Sequence, residues 1–89
     1  MSVVTLRIVN EKGLHARASA RFVEVVESFD AEATVARDGM SVSGDSIMGL
    51  LMLAASRGTS IEVQTRGRQQ QELADALTAL VANRFGEDY

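Results

Sequence analysis

The chain reads as an α+β protein, a two-layer open-faced sandwich of order βαββαβα. A four-stranded antiparallel sheet is expected, covered on one face by three helices. Three observations predict it. Stretches with a two-residue apolar period alternate with stretches of helical period along the whole chain. Asp38-Gly39, a dipeptide suited to a turn with two positive φ angles, joins two strands with no helix between them. No repeat, linker or low-complexity segment divides the 89 residues. One two-layer domain spanning residues 1–89 is therefore expected.

Each element follows from its own pattern. Val4, Leu6 and Ile8 alternate with Val3, Thr5, Arg7 and Val9, giving a first strand with one apolar face. Asn10 to Gly13 form a loop. From Ala16 to about Ser28 the spacing becomes helical, with Ala18, Phe22, Val25, Val26 and Phe29 in one stripe and Arg17, Arg21, Glu24 and Ser28 opposite. Glu32 to Arg37 and Met40 to Ser43 flank the Asp38-Gly39 turn as strands two and three. Asp45 or Ser46 caps a second, shorter helix, which Arg57-Gly58 is expected to end. Its buried stripe is expected to be Ile47, Leu50, Leu51 and Ala54. Ser60 to Arg66 alternate as strand four, with Ile61 and Val63 inward. Gly67 opens the last helix, whose buried stripe is expected to be Leu73, Ala76, Leu77, Leu80 and Val81. Asn83 to Tyr89 read as a polar tail.

Composition narrows the function. An apolar content of 46% with regular punctuation opposes disorder. The absence of cysteine removes disulfides, thiolate metal sites and cysteine nucleophiles. One histidine cannot supply a histidine-rich metal centre, so neither a metal nor a cofactor is expected. A net charge of −3 and four aromatics with no basic stripe predict no nucleic-acid partner. No apolar run is long enough to span a bilayer and no signal-peptide pattern opens the chain, so a cytoplasmic location is expected.

The informative residue is the single histidine, His15, in Gly13-Leu14-His15-Ala16-Arg17-Ala18. It falls where the strand-to-helix loop becomes the first turn of a helix. That turn exposes unpaired N–H groups and a partial positive charge, which together attract anions. The cap position lacks the usual Ser, Thr, Asp or Asn. The first turns carry Arg17 and Arg21 and no acid before Glu24, against the preference of the helix dipole. Lys12 adds a further cation. A nucleophilic imidazole beside arginine and free N–H groups suits a phosphoryl group. Glu24, three residues on, is the expected surface partner of Arg21, whereas Arg17 has none.

The second helix carries more apolar side chains than one buried face uses, since Met48, Met52 and Leu53 add to the stripe. Exposed methionines adapt to several partners, so Met48 and Met52 are expected to dock other proteins. Ser46, by residue chemistry alone, is a helix cap.

Gly-Leu-His-Ala-Arg near the start, Ser46-Ile47-Met48-Gly49 before an apolar helix, and the βαββαβα order together resemble one family. The chain is similar to HPr, the histidine phosphocarrier of the phosphoenolpyruvate-dependent phosphotransferase system, along nearly its whole length. The resemblance implies that His15 accepts a phosphoryl group on Nδ1 from enzyme I and passes it to enzyme IIA proteins, without itself being an enzyme. This would serve sugar uptake or the nitrogen-related regulatory branch. It implies that Arg17 is the phosphate-side cation and that the N–H groups of Ala16, Arg17 and Ala18 hold the phosphate. Docking would use Ala16, Ala20, Arg21, Ile47, Met48, Leu51 and Met52. Ser46 matches a regulatory serine that an HPr kinase/phosphorylase modifies in some lineages. The acting form is expected to be a monomer without membrane insertion. Two positions depart from the family pattern: Ala18 where proline is common, and Ala54 where glycine is usual. The alternative from another class is a small-molecule-binding regulatory βαββαβ domain, which gives no reason for His-Ala-Arg at a helix start.

Overall fold

The computed structural model describes residues 1–89. Its elements are β1 (Ser2–Arg7), α1 (Ala16–Glu27), β2 (Glu32–Arg37), β3 (Met40–Ser43), α2 (Ile47–Met52), β4 (Ser60–Arg66) and α3 (Gln70–Ala82), with a short turn at Arg84–Gly86. The strands form one antiparallel sheet in the order β1-β4-β2-β3. Asp38 and Gly39 both take positive φ, 50° and 82°, as the β2–β3 turn requires.

Register places Val4, Leu6, Val35, Val42, Ile61 and Val63 on one face. Val4 lies opposite Val63, Leu6 opposite Ile61, and Val35 between Val63 and Val42. A one-residue slip would turn every one of them to solvent. Ile8, Val35, Ile61 and Val63 are buried, as are Phe22 and Val26 of α1 and Leu73 and Leu77 of α3. The core is thus a single cluster between the sheet and the helices. The opposite face, with Thr5, Glu62 and Arg66, meets water.

Several expectations change. Helix α2 stops at Met52, well before Gly58, because Ala54 already takes a left-handed φ of 51°. That position normally suits glycine. Its one buried residue is Leu50, with Leu53 buried at the C-cap, while Ile47 stays 40% exposed and Ala54 is exposed. So short a helix turns only one side to the core. Helix α3 begins at Gln70 and buries Ala74 where Ala76 was expected, Ala76 being half-buried. Val25 and Phe29 of the first stripe are likewise only half-buried, and Val23 joins the core.

The largest correction concerns the tail. Phe85 is fully buried and belongs to the core. Arg84, Phe85 and Gly86 form a left-handed turn, with φ of 56°, 56° and 82°. Left-handed backbone costs an L-residue about 1–2 kcal/mol. Burying a phenylalanine side chain returns about 1.5–3 kcal/mol, which is of the same order as that strain. The turn is closed by Gly86 N–H donating to Asn83 O at 3.0 Å and Glu87 N–H donating to Arg84 O at 2.9 Å. Its effect is to bring Glu87 back to the start of α1.

Candidate functional site

The approach to α1 is fixed by packing. Gly13 has φ 67°, and a Cβ there would lie 2.7 Å from Ala55 O, so only glycine fits without movement. Leu14 is buried and donates its N–H to Ala55 O at 2.9 Å. His15 follows as the N-cap in extended conformation, with no side-chain bond to the helix, and its carbonyl accepts from Ser19 N–H at 2.8 Å. The N–H groups of Ala16, Arg17 and Ala18 therefore have no backbone partner. This leaves three donors at the positive end of a helix dipole. The Ala18 side chain is buried, so only its backbone can serve the site.

His15 is about one-quarter exposed, at 23% of its side chain, and its Nε2 contacts the Glu87 carboxylate directly. The other Glu87 oxygen accepts from Asn10 Nδ2 at 2.9 Å, and the same amide nitrogen donates to Gly13 O at 2.8 Å. Burial raises the Glu87 pKa. The hydrogen bonds from Asn10 and His15, with the charges of His15 and Arg17, outweigh burial and hold this carboxyl below its ordinary value. An ionised carboxylate only accepts, so Nε2 must carry the proton. When the ring is neutral with its proton there, Nδ1 keeps its lone pair.

Arg17 and Arg21 line a concavity of about 280 Å³ with Gly86, Glu87, Asp88 and Tyr89. Arg21 forms no ion pair with Glu24; the ion pairs of the chain lie elsewhere. Its guanidinium instead lies against the tail, 3.9 Å from where a Cβ on Gly86 would stand. Lys12 sits over the Tyr89 ring, 5.6 Å from its centroid, within cation–π range. Arg17, Arg21 and Lys12 thus all border the histidine end.

The neighbouring surface is apolar. On α2, Met48 is 70% and Met52 63% exposed, Ile47 is exposed and Leu51 is half-buried. Ala16 is exposed and Ala20 half-buried on α1, which packs beside α2. Ser46 caps α2, its Oγ accepting from Gly49 N–H at 3.0 Å.

Glu87 and Asn10 are the residues that sequence reasoning missed. Asn10 looks like any loop residue, yet it is fully buried. The one available signal for the tail was Phe85-Gly86, an aromatic beside a glycine in a polar segment.

A βαββαβα sandwich that presents a lone histidine at an open helix N-terminus is suited to hold an anionic group such as a phosphoryl. The profile described as PTS HPr component phosphorylation site matches residues 3–83. A curated relative, the phosphocarrier protein HPr of Cupriavidus necator, is 48% identical over 80 residues, covering 90% of each chain. Among solved structures, HPr-C-His from Thermoanaerobacter tengcongensis superposes with a TM-score of 0.94 at 36% identity, covering all of both chains. The HPr dimer from the same organism gives 0.77 at 37% identity, covering 98% of this chain and 100% of that one. The chain belongs to the HPr family of phosphocarrier proteins of the phosphotransferase system. That membership favours the carrier over the small-molecule-binding regulatory domain. No helix is long and apolar enough to cross a membrane.

Proposed function

We propose that this protein carries a phosphoryl group on Nδ1 of His15, taking it from enzyme I and giving it to an enzyme IIA. The observation that carries this reading is the Glu87–His15 contact. A carboxylate accepting at Nε2 supports Nδ1 as the nucleophile, at a helix start whose N–H groups have no backbone partner. In the first step the Nδ1–phosphorus bond forms as the donor's bond to phosphorus breaks. Positive charge grows on the ring, and the Glu87 carboxylate stabilises it. The phosphoryl oxygens gain the N–H groups of Ala16, Arg17 and Ala18 and the Arg17 guanidinium. Transfer onward reverses these changes at the acceptor.

A carrier needs its phosphorylated and free states close in energy. One arginine and a helix end give moderate stabilisation, which lets the group leave again. The apolar surface of Ala16, Ala20, Ile47, Met48, Leu51 and Met52, with Arg21 at its edge, would meet both partners in turn. Ser46 would serve as a regulatory phosphosite, because a phosphate there would place charge beside that surface. The protein would act in the cytoplasm, and as a monomer, in which both His15 and the apolar face are open; sedimentation tests the latter. The reading as a whole is tested by incubation with enzyme I and phosphoenolpyruvate. An acid-labile, base-stable mass gain that disappears in His15→Ala, with the fold retained, is expected. Full phosphorylation of His15→Ala would refute it.

A further inference from the structure

Of the nine lysines and arginines, Arg37, Arg66 and Arg68 hold carboxylates, and the other six do not. Three of the six, Lys12, Arg17 and Arg21, border the histidine site. The remaining three, Arg7, Arg57 and Arg84, line a separate groove of about 320 Å³ with Ile8, Val9 and Gly58. It lies where β1 ends and β4 is about to begin, under the start of the tail. No carboxylate lines it, in a chain whose acids outnumber its bases. None of the three guanidinium groups has a carboxylate or other hydrogen-bond partner within the chain. Arg84 holds its place on left-handed backbone that glycine would adopt without strain. An adjoining recess of about 280 Å³ shares Val9, Arg57 and Arg84 but adds Glu11 and Asp88. Those acids confine favourable anion binding to the part bounded by Arg7.

We propose that this groove binds a diphosphate group. Three fixed positive charges exceed the need of a phosphate monoester, which carries about 1.5–2 negative charges near neutral pH, and match a diphosphate better. Guanidinium forks pair with phosphate oxygens through two parallel bonds. The volume is near the lower end for small-molecule sites and admits a group of this size rather than a long chain. Neither His15 nor Arg17 lines the groove, so it is a site apart from the helix start.

The test uses the full chain labelled with ¹⁵N at constant ionic strength, titrated with inorganic pyrophosphate. Saturable amide shifts at Ile8, Val9, Arg57 and Gly58 are expected. Affinity should fall about tenfold or more in Arg57→Gln with Arg84→Gln, because charge-assisted bonds are lost. Both residues are exposed, so the double variant should melt with the wild type. Arg17→Gln should leave the groove response unchanged, which separates it from the helix N-terminus. A parallel titration with a nucleoside diphosphate distinguishes the sources, the tighter ligand naming the free or the nucleotide-borne group. Shifts that never saturate, that survive the double variant, or that are confined to Ala16–Ala18 and vanish in Arg17→Gln would overturn the proposal.

Discussion

Glu87→Gln is the substitution that most directly probes how the tail sets up the histidine. In the wild type the two carboxylate oxygens each accept a bond, one from Asn10 Nδ2 and one from His15 Nε2. Glutamine keeps the shape but offers one acceptor and one NH₂. Unless the imidazole switches tautomer, one of the two donors must then face another donor. A buried donor left unmet costs about 1–3 kcal/mol, and lost charge assistance adds to it. His15 is 23% and Glu87 11% exposed, so water recovers part of this. A loss of about 1–2 kcal/mol at neutral pH is therefore expected, or roughly 4–12 °C in melting temperature for a domain of this size. The pH dependence fixes the cause. The Glu87 pKa is depressed below its ordinary value of 4.5, so its stabilisation is complete above that value and is lost as pH falls through the lowered one. The gap between wild type and variant should be full near neutrality and shrink as pH falls through the lowered Glu87 pKa. Where glutamine turns its NH₂ toward the ring, Nε2 becomes the acceptor and the proton moves to Nδ1, the atom proposed to attack. Imidazole ¹⁵N spectra should show a single Nε2–H tautomer in the wild type and a mixture in the variant, with phosphorylation about five- to tenfold slower, on the order of 1–1.4 kcal/mol. An equal melting gap at both ends of the pH range, or an unchanged tautomer and rate, would refute the reasoning.

Three further outcomes follow from the same geometry. Ala54→Gly should raise stability by up to about 1 kcal/mol, because it relieves a left-handed alanine while removing only an exposed methyl group; a lower melting temperature would contradict this. Met48→Asp should weaken association with enzyme I and leave the melt within about 0.5 kcal/mol, since the side chain is 70% exposed; marked destabilisation would assign Met48 to the core. Ser46→Asp should keep the melting temperature, aspartate being as good a cap as serine, while slowing phosphorylation of His15 through charge beside the apolar face. Wild-type kinetics in that variant would remove the electrostatic basis for regulation.

Local rules explain why most of the fold was legible. Strands β2, β3 and β4 begin and end where alternation begins and ends, because one buried face fixes both register and extent. The Asp38-Gly39 turn and the unpaired first turn of α1 are equally local, each being settled by a few neighbouring residues. The end of α2 was misplaced because alanine took a conformation that sequence patterns reserve for glycine. Glu87 and Asn10 were invisible for a different reason. They are 77 residues apart and meet only because a buried Phe85 anchors a left-handed turn, and no short-range period encodes such a contact. Arg21 was misjudged likewise, its sequence neighbour Glu24 being a poorer guide than the tail that returns beside it.

The central claim is that Nδ1 of His15 is the phosphoryl acceptor because Glu87 holds the proton on Nε2. The direct measurement is the ¹⁵N and ³¹P spectrum of the histidine-labelled protein after reaction with enzyme I and phosphoenolpyruvate. The predicted result is phosphorus coupled to Nδ1 of His15, with Nε2 still protonated. Phosphorus coupled to Nε2, or a phosphoryl group on any other residue, would contradict the account.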